Sequence, residues 1–159
     1  MPSNLLSTPT STLVGVSPIP PVVRLVDIRD EDLSVDEVVA AVSDAAAGGV
    51  TLFAGAVRDH DENKSVTGLE YSAHPIALDQ LTDVAEEVAR EYDVLAVAAV
   101  HRVGALAIGD LAVVVATAAA HRGEAFEASR ALIDRLKQRV PIWKHQLFAD
   151  GTDEWVGTP

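Results

Sequence analysis

The residues best suited to chemistry gather between positions 121 and 146. His121-Arg122 close an apolar run at 111–120 and precede an amphipathic stretch. Lys137 lies near the end of that stretch. Lys144 follows beyond Pro141, with His145 and Gln146 behind it. The open N–H groups of a first helical turn favour an anion, and an arginine there adds a planar two-pronged donor. Gly123 would let a phosphate approach the backbone. Two lysines on either side of a rigid proline turn can converge on one pocket. Each ammonium then lowers the other's proton affinity, which prepares either for work as acid, base or nucleophile.

Charge marks the same segment. The chain carries 12 Lys+Arg against 24 Asp+Glu, yet Arg122, Arg130, Arg135, Lys137, Arg139 and Lys144 fall within 122–144. In an acidic protein such a local excess marks a place to receive an anion; the alternative is a helix with a solvated basic face. A further arginine, Arg58, follows Val57 at the end of another apolar run and opens the polar stretch DHDENKS. His60, His74, His101 and His145 show no metal-ligand spacing, and Asp59-His60-Asp61-Glu62 reads as a solvated loop. Gly-rich phosphate loops, GxSxG and dinucleotide fingerprints are absent from the sequence.

Elements must hold these residues in place. Residues 1–21 are rich in Ser, Thr and Pro without periodicity and read as a flexible tail, so the domain should span 22–159. A strand is expected over 22–28. A capping box at Ser34 and Glu37 should open a helix that stops at Gly48-Gly49. Strands over 50–57 and 66–72 read as a hairpin with a long charged tip. Pro75 fits a first helical turn, and Leu78, Leu81, Val84, Ala85, Val88 and Tyr92 carry that helix at helical spacing. Strands over 94–101 and 111–120 follow, then the helix containing Lys137. Phe126, Ile133 and Val140 share its row with Lys137, which sets Lys137 at the edge of the buried stripe. Pro141 ends the helix and pushes Val140 into extended geometry. The resulting βαββαββαβ order implies an α+β fold: a mixed, mostly antiparallel sheet with helices packed on it.

Composition narrows the function. At 159 residues and 48% hydrophobic content the chain fits one domain with a substantial core. A net charge of −12 opposes general nucleic-acid binding. Without cysteine there are no disulfides, thiolate metal sites or thiol nucleophiles. The apolar runs are too short to span a bilayer, no basic residue precedes Arg24, and the expected location is the cytoplasm.

Four stretches then carry a resemblance: FAGAVRDHDENKSVTGLEYSAHP (53–75), HRVGALAIGD (101–110), AHRGEAFEA (120–128) and LKQRVPIWKHQ (136–146). Their order and spacing resemble the catalytic, large subunit of molybdopterin synthase, and LKxRxPIWK is the sharpest of them. The resemblance implies an α/β hammerhead fold. It implies a sulfur transferase that converts cyclic pyranopterin monophosphate into molybdopterin and needs no cofactor or metal. Sulfur would come from the C-terminal Gly-Gly thiocarboxylate of a small ubiquitin-like carrier subunit. Such proteins form a homodimer within a heterotetramer, with pocket residues from both protomers. Carried onto this chain, Lys137 matches the essential lysine and Lys144 the second one. Val57 and Arg58 match an anion-binding segment, and His121 and Arg122 a phosphate-holding pair reached from the neighbouring protomer. His145 and Gln146 fall at pocket positions where relatives often carry Arg and Glu. The alternatives are a non-catalytic scaffold that docks a ubiquitin-like partner and an anion-binding regulatory domain.

Overall fold

The computed structural model describes residues 21–157. The tail read at 1–21 lies, except for Pro21, outside the described residues. In chain order the elements are β1 (Val23–Arg29), α1 (Val35–Ala41), β2 (Gly49–Ala56), β3 (His60–Asp61), β4 (Lys64–Ala73) and α2 (Ala77–Glu91). They continue with β5 (Ala96–Arg102), β6 (Gly104–Leu106), β7 (Leu111–Ala119), α3 (Arg122–Arg139), β8 (Ile142–Phe148) and β9 (Asp153–Gly157).

β5 and β7 are near-continuous runs of Ala and Val because both of their faces are covered. Side chains alternate across a strand, so one run of sequence serves two cores. Val97, Ala99, Val113 and Val115 meet α2 and α3 through Leu81, Val84, Val88, Leu132 and Leu136. Ala96, Ala98, Val100, Val114 and Ala116 point the other way and meet Val38 and Val42. Full burial of one such Val or Leu stabilises by about 1.5–3 kcal/mol. The sheet runs β1-β5-β7-β2, with β1 parallel to β5 and the other pairs antiparallel.

A second sheet is ordered β3-β4-β8-β9, with β6 also on β4, and holds Lys144 on β8. The α+β class expected from the sequence holds, but the strands divide into two sheets rather than one. The hairpin expected over 50–72 does not form. β2 pairs along its length with β7, from Gly49↔Ala119 to Ala56↔Leu111, while β4 pairs with β3, β6 and β8. Only the tip closes as a hairpin, Asp61↔Lys64, around Glu62 and Asn63 with φ of 43° and 70°.

α1 is shorter than expected. Ser34 accepts from the Glu37 N–H at 3.1 Å, as a cap should. The Glu37 carboxylate turns to Arg29 instead, at 2.6 and 2.9 Å, so only half of the capping box forms. The helix ends at Ala41, and Asp44 organises the following turn by accepting from Ala46 N–H and from Arg24, each at 2.9 Å. Gly48-Gly49 therefore serves close approach rather than helix termination. A Cβ on Gly48 would collide with the Ala120 carbonyl, and one on Gly49 would lie 3.0 Å from Arg122 Cα. The pair lets β2 start directly against the His121-Arg122 turn.

Candidate active site

β8 runs through the middle of the second sheet, and its register sets the pocket. Lys144 lies opposite Tyr71 on β4 and Val156 on β9. Lys137 arrives from the last turn of α3. Val140 is extended at φ −81°, ψ 119°, as the following proline requires, and its N–H donates to Leu136 O at 3.0 Å. The chain thus turns sharply from helix to strand. Both lysines reach one pocket of about 320 Å³, lined also by Tyr71, Ile142, Val156 and Gly157.

The pocket is open, and Lys137 as a residue remains exposed. Protein nonetheless crowds its amine. That burial first, and the Lys144 charge second, push the Lys137 pKa down. The wall behind is neutral. His101 is 1% exposed, and its Nδ1–H donates to the Arg102 carbonyl at 2.7 Å. Burial, assisted by the charge of Lys137, pushes its pKa down to about 4. The Tyr71 ring meets it edge-on at 5.1 Å, and burial raises the Tyr71 phenol, which keeps its proton.

A second group flanks the lysines. Val57 is buried with Leu69, Leu106 and Ala112, so it anchors the backbone rather than presenting a side chain to a ligand. It fixes the base of Arg58, whose exposed guanidinium donates from Nη2 to Asp61 Oδ1 at 3.2 Å. Gln146 is buried on the same face of β8 as Lys144, and its Nε2 donates to Asp61 Oδ2 at 2.7 Å. The Gln146 bond, then the charges of Lys144 and Arg58, hold the Asp61 carboxyl below the ordinary carboxylate range.

Other expected site residues lie elsewhere. His145 is on the opposite face of β8, stacked on Trp155 at 4.3 Å and bonded to Asp153 at 2.6 Å, and does not line the lysine pocket. His121 is the N-cap of α3 and, like Arg122, is exposed. At 1.5 Å per residue, α3 sets them roughly 20 Å from Lys137 within one chain. Half of the basic cluster has structural duties. Arg135 and Arg139 bind Glu87 and Glu91 of α2, and Arg130 binds Asp134. Phe126, expected in the buried row, is 62% exposed; Ala125, Ala128, Ser129, Leu132 and Leu136 form the buried stripe. Two larger grooves follow this outer face of α3, and neither includes Lys137 or Lys144.

Sequence reasoning missed Asp61, Tyr71 and His101. The alternation of Leu69 and Tyr71 along β4 held a signal for Tyr71. Asp61 gave none, because its partner is 85 residues away.

The site is thus a paired-lysine pocket flanked by an arginine–carboxylate pair, on a two-sheet α+β scaffold. Residues 28–139 match the family model described as MoaE protein. The chain is 46% identical over 131 residues to molybdopterin synthase catalytic subunit 1 of Mycobacterium tuberculosis, covering 82% of this chain and 88% of that one. It is 36% identical over 132 residues to the catalytic subunit of Bacillus subtilis, covering 82% and 83%. The solved molybdopterin synthase from Staphylococcus aureus superposes with a TM-score of 0.77 at 30% identity, covering 84% and 97%. A complex of subunits 1 and 2 of molybdopterin-converting factor from Helicobacter pylori, 20% identical, shares the fold with a TM-score of 0.62, covering 87% and 90%. The chain belongs to the MoaE family, that of the molybdopterin synthase catalytic subunits, enzymes of molybdenum cofactor biosynthesis.

Proposed function

We propose that this chain transfers sulfur to cyclic pyranopterin monophosphate through the pocket of Lys137 and Lys144. The carrying observation is that Lys137, from α3, and Lys144, from β8, share one pocket in which burial and like charge bring Lys137 toward its neutral amine. A small ubiquitin-like carrier delivers sulfur as a thiocarboxylate at its C-terminal glycine. The two-subunit Helicobacter pylori complex, alike in fold, supports a partner of this kind. Arg58 orients the anionic substrate. Lys137 moves a proton as the thiocarboxylate sulfur attacks the pterin, and water then cleaves the resulting thioester so that the carrier leaves with a C-terminal carboxylate. Lys144 stabilises developing negative charge.

His121 and Arg122 reach the substrate phosphate in the pocket of a second copy, within a homodimer that binds two carriers. Their place at the end of α3 remote from Lys137 supports this reading. Residues 22–159 act as one catalytic domain, in the cytoplasm. Among the described residues no helix is long and apolar enough to cross a membrane.

The test is a single-turnover assay with thiocarboxylated carrier and the cyclic pterin. Lys137→Ala should lose at least roughly a hundredfold in rate while binding the carrier normally. A folded wild type that binds carrier but forms no dithiolene would reject sulfur transfer. Full activity in the variant would remove Lys137 from its role.

A further inference from the structure

Arg58 poses a problem of order. Its side chain is 69% exposed, and among the described residues its one hydrogen bond runs from a single nitrogen to Asp61. Without that anchor so exposed and long a side chain would sample many rotamers, and binding a ligand would have to freeze them. Asp61 is much better fixed. It lies in the two-residue β3, closed by the tight turn at Glu62-Asn63 and tied by Gln146, which is 3% exposed. One carboxylate oxygen takes the buried amide and the other takes the guanidinium.

We propose that Asp61 and Gln146 are positioning residues: Gln146 locks the Asp61 carboxylate, and the carboxylate aims the remaining donors of Arg58 at the anionic part of the substrate. The chain of contacts runs from the middle of the second sheet, through the hairpin tip, to the exposed guanidinium. Gln146 thereby acts on the substrate through Asp61 and Arg58, two positions along β8 from Lys144. A carboxylate beside an anion site weakens attraction at long range. Its benefit is geometric, because a guanidinium already pointed the right way loses less freedom on binding. This inference rests on the sulfur-transfer reading, since it assigns Arg58 to the substrate's anionic group.

Steady-state turnover with saturating carrier separates the two ideas. Product from wild type supports the reaction itself; the variants then test positioning. Asp61→Ala should raise KM for the cyclic pterin roughly tenfold with kcat changed less than about twofold. Asp61→Asn should recover most of the loss. Its Oδ1 still accepts from Arg58, and its Nδ2 can donate to a flipped Gln146 amide. In an Arg58→Ala background, Asp61→Ala should add nothing further. A KM lowered in both Asp61 variants would show that the carboxylate only repels the substrate and would overturn the proposal. So would equal effects with and without Arg58. If the Asp61→Ala chain does not fold, Gln146→Met replaces it: the same rise in KM is expected, and an unchanged KM overturns the proposal.

Discussion

Lys137 owes its proposed chemistry to its surroundings. Burial destabilises its ammonium form, and the neighbouring Lys144 charge adds to that. Both act in the same direction, so a larger fraction of the amine is neutral at a given pH than for a lysine in water. If the neutral amine takes part in the reaction, single-turnover rate rises with pH through the Lys137 pKa. Lys144→Gln removes the second cause and leaves the first. The Lys137 pKa should then rise toward its ordinary value, and the midpoint of the rate profile should move to higher pH. A drop in maximal rate alone, with the midpoint fixed, would show that Lys144 contacts the substrate without tuning its neighbour. Tyr71 and His101 support the same arrangement from behind, since neither adds an opposing charge that would restore the ammonium form.

At the scale of elements, His101 is the penultimate residue of β5 and meets Tyr71 of β4 edge-on, one sheet against the other. Its pKa is pushed down from 6.5 to about 4, so the folded protein refuses a proton that the unfolded chain accepts. Stability is therefore full above about pH 6.5 and falls on acidification toward pH 4, with a slope approaching 1.4 kcal/mol per pH unit. Between pH 7.5 and 5 the loss should be about 2 kcal/mol. His101→Asn can keep a donor to the Arg102 carbonyl but cannot take up the proton. Its denaturant midpoint should start lower, because of the lost ring, and change less over this range; an equal slope in both proteins would refute the assignment. Much at this scale was legible in the sequence. Ser34 does cap α1, Pro141 does set the turn to β8, and the near-continuous apolar runs of β5 and β7 do mark strands covered on both faces. What was not legible was pairing. Residues 50–72 look like a hairpin because neighbours in sequence usually pair, whereas β2 finds its register on β7 across a long separation. The same holds within the site. Lys137 and Lys144 show their convergence through a local turn, while Asp61 becomes meaningful only when Gln146 is brought beside it.

For the whole molecule, one chain holds the lysine pocket at one end of α3 and His121-Arg122 at the other. A rigid helix of this length cannot fold back on itself, so the pair can serve the proposed pocket only from another copy. The surface beside that pair is unusual. β2 is an edge strand, and Phe53 and Phe126, 42% and 62% exposed, line one groove with Leu52 and Ile133. An exposed apolar groove on a sheet edge invites a partner. A second copy seated there would bury both rings and carry His121-Arg122 with it. Phe126→Glu puts a charge into that contact without touching either core, since the buried stripe of α3 runs through Ala125, Ala128, Leu132 and Leu136. The variant should stay folded and become monomeric by light scattering at micromolar concentration. Single-turnover rate should fall by a factor of roughly ten or more while carrier affinity is unchanged, because the second copy's phosphate contacts are lost. Mixing it with a chain carrying only Lys137→Ala should form no mixed dimers and restore no activity, since every mixed interface of a symmetric dimer still includes one altered face. A Phe126→Glu protein that remains dimeric and fully active would place the second copy on another surface.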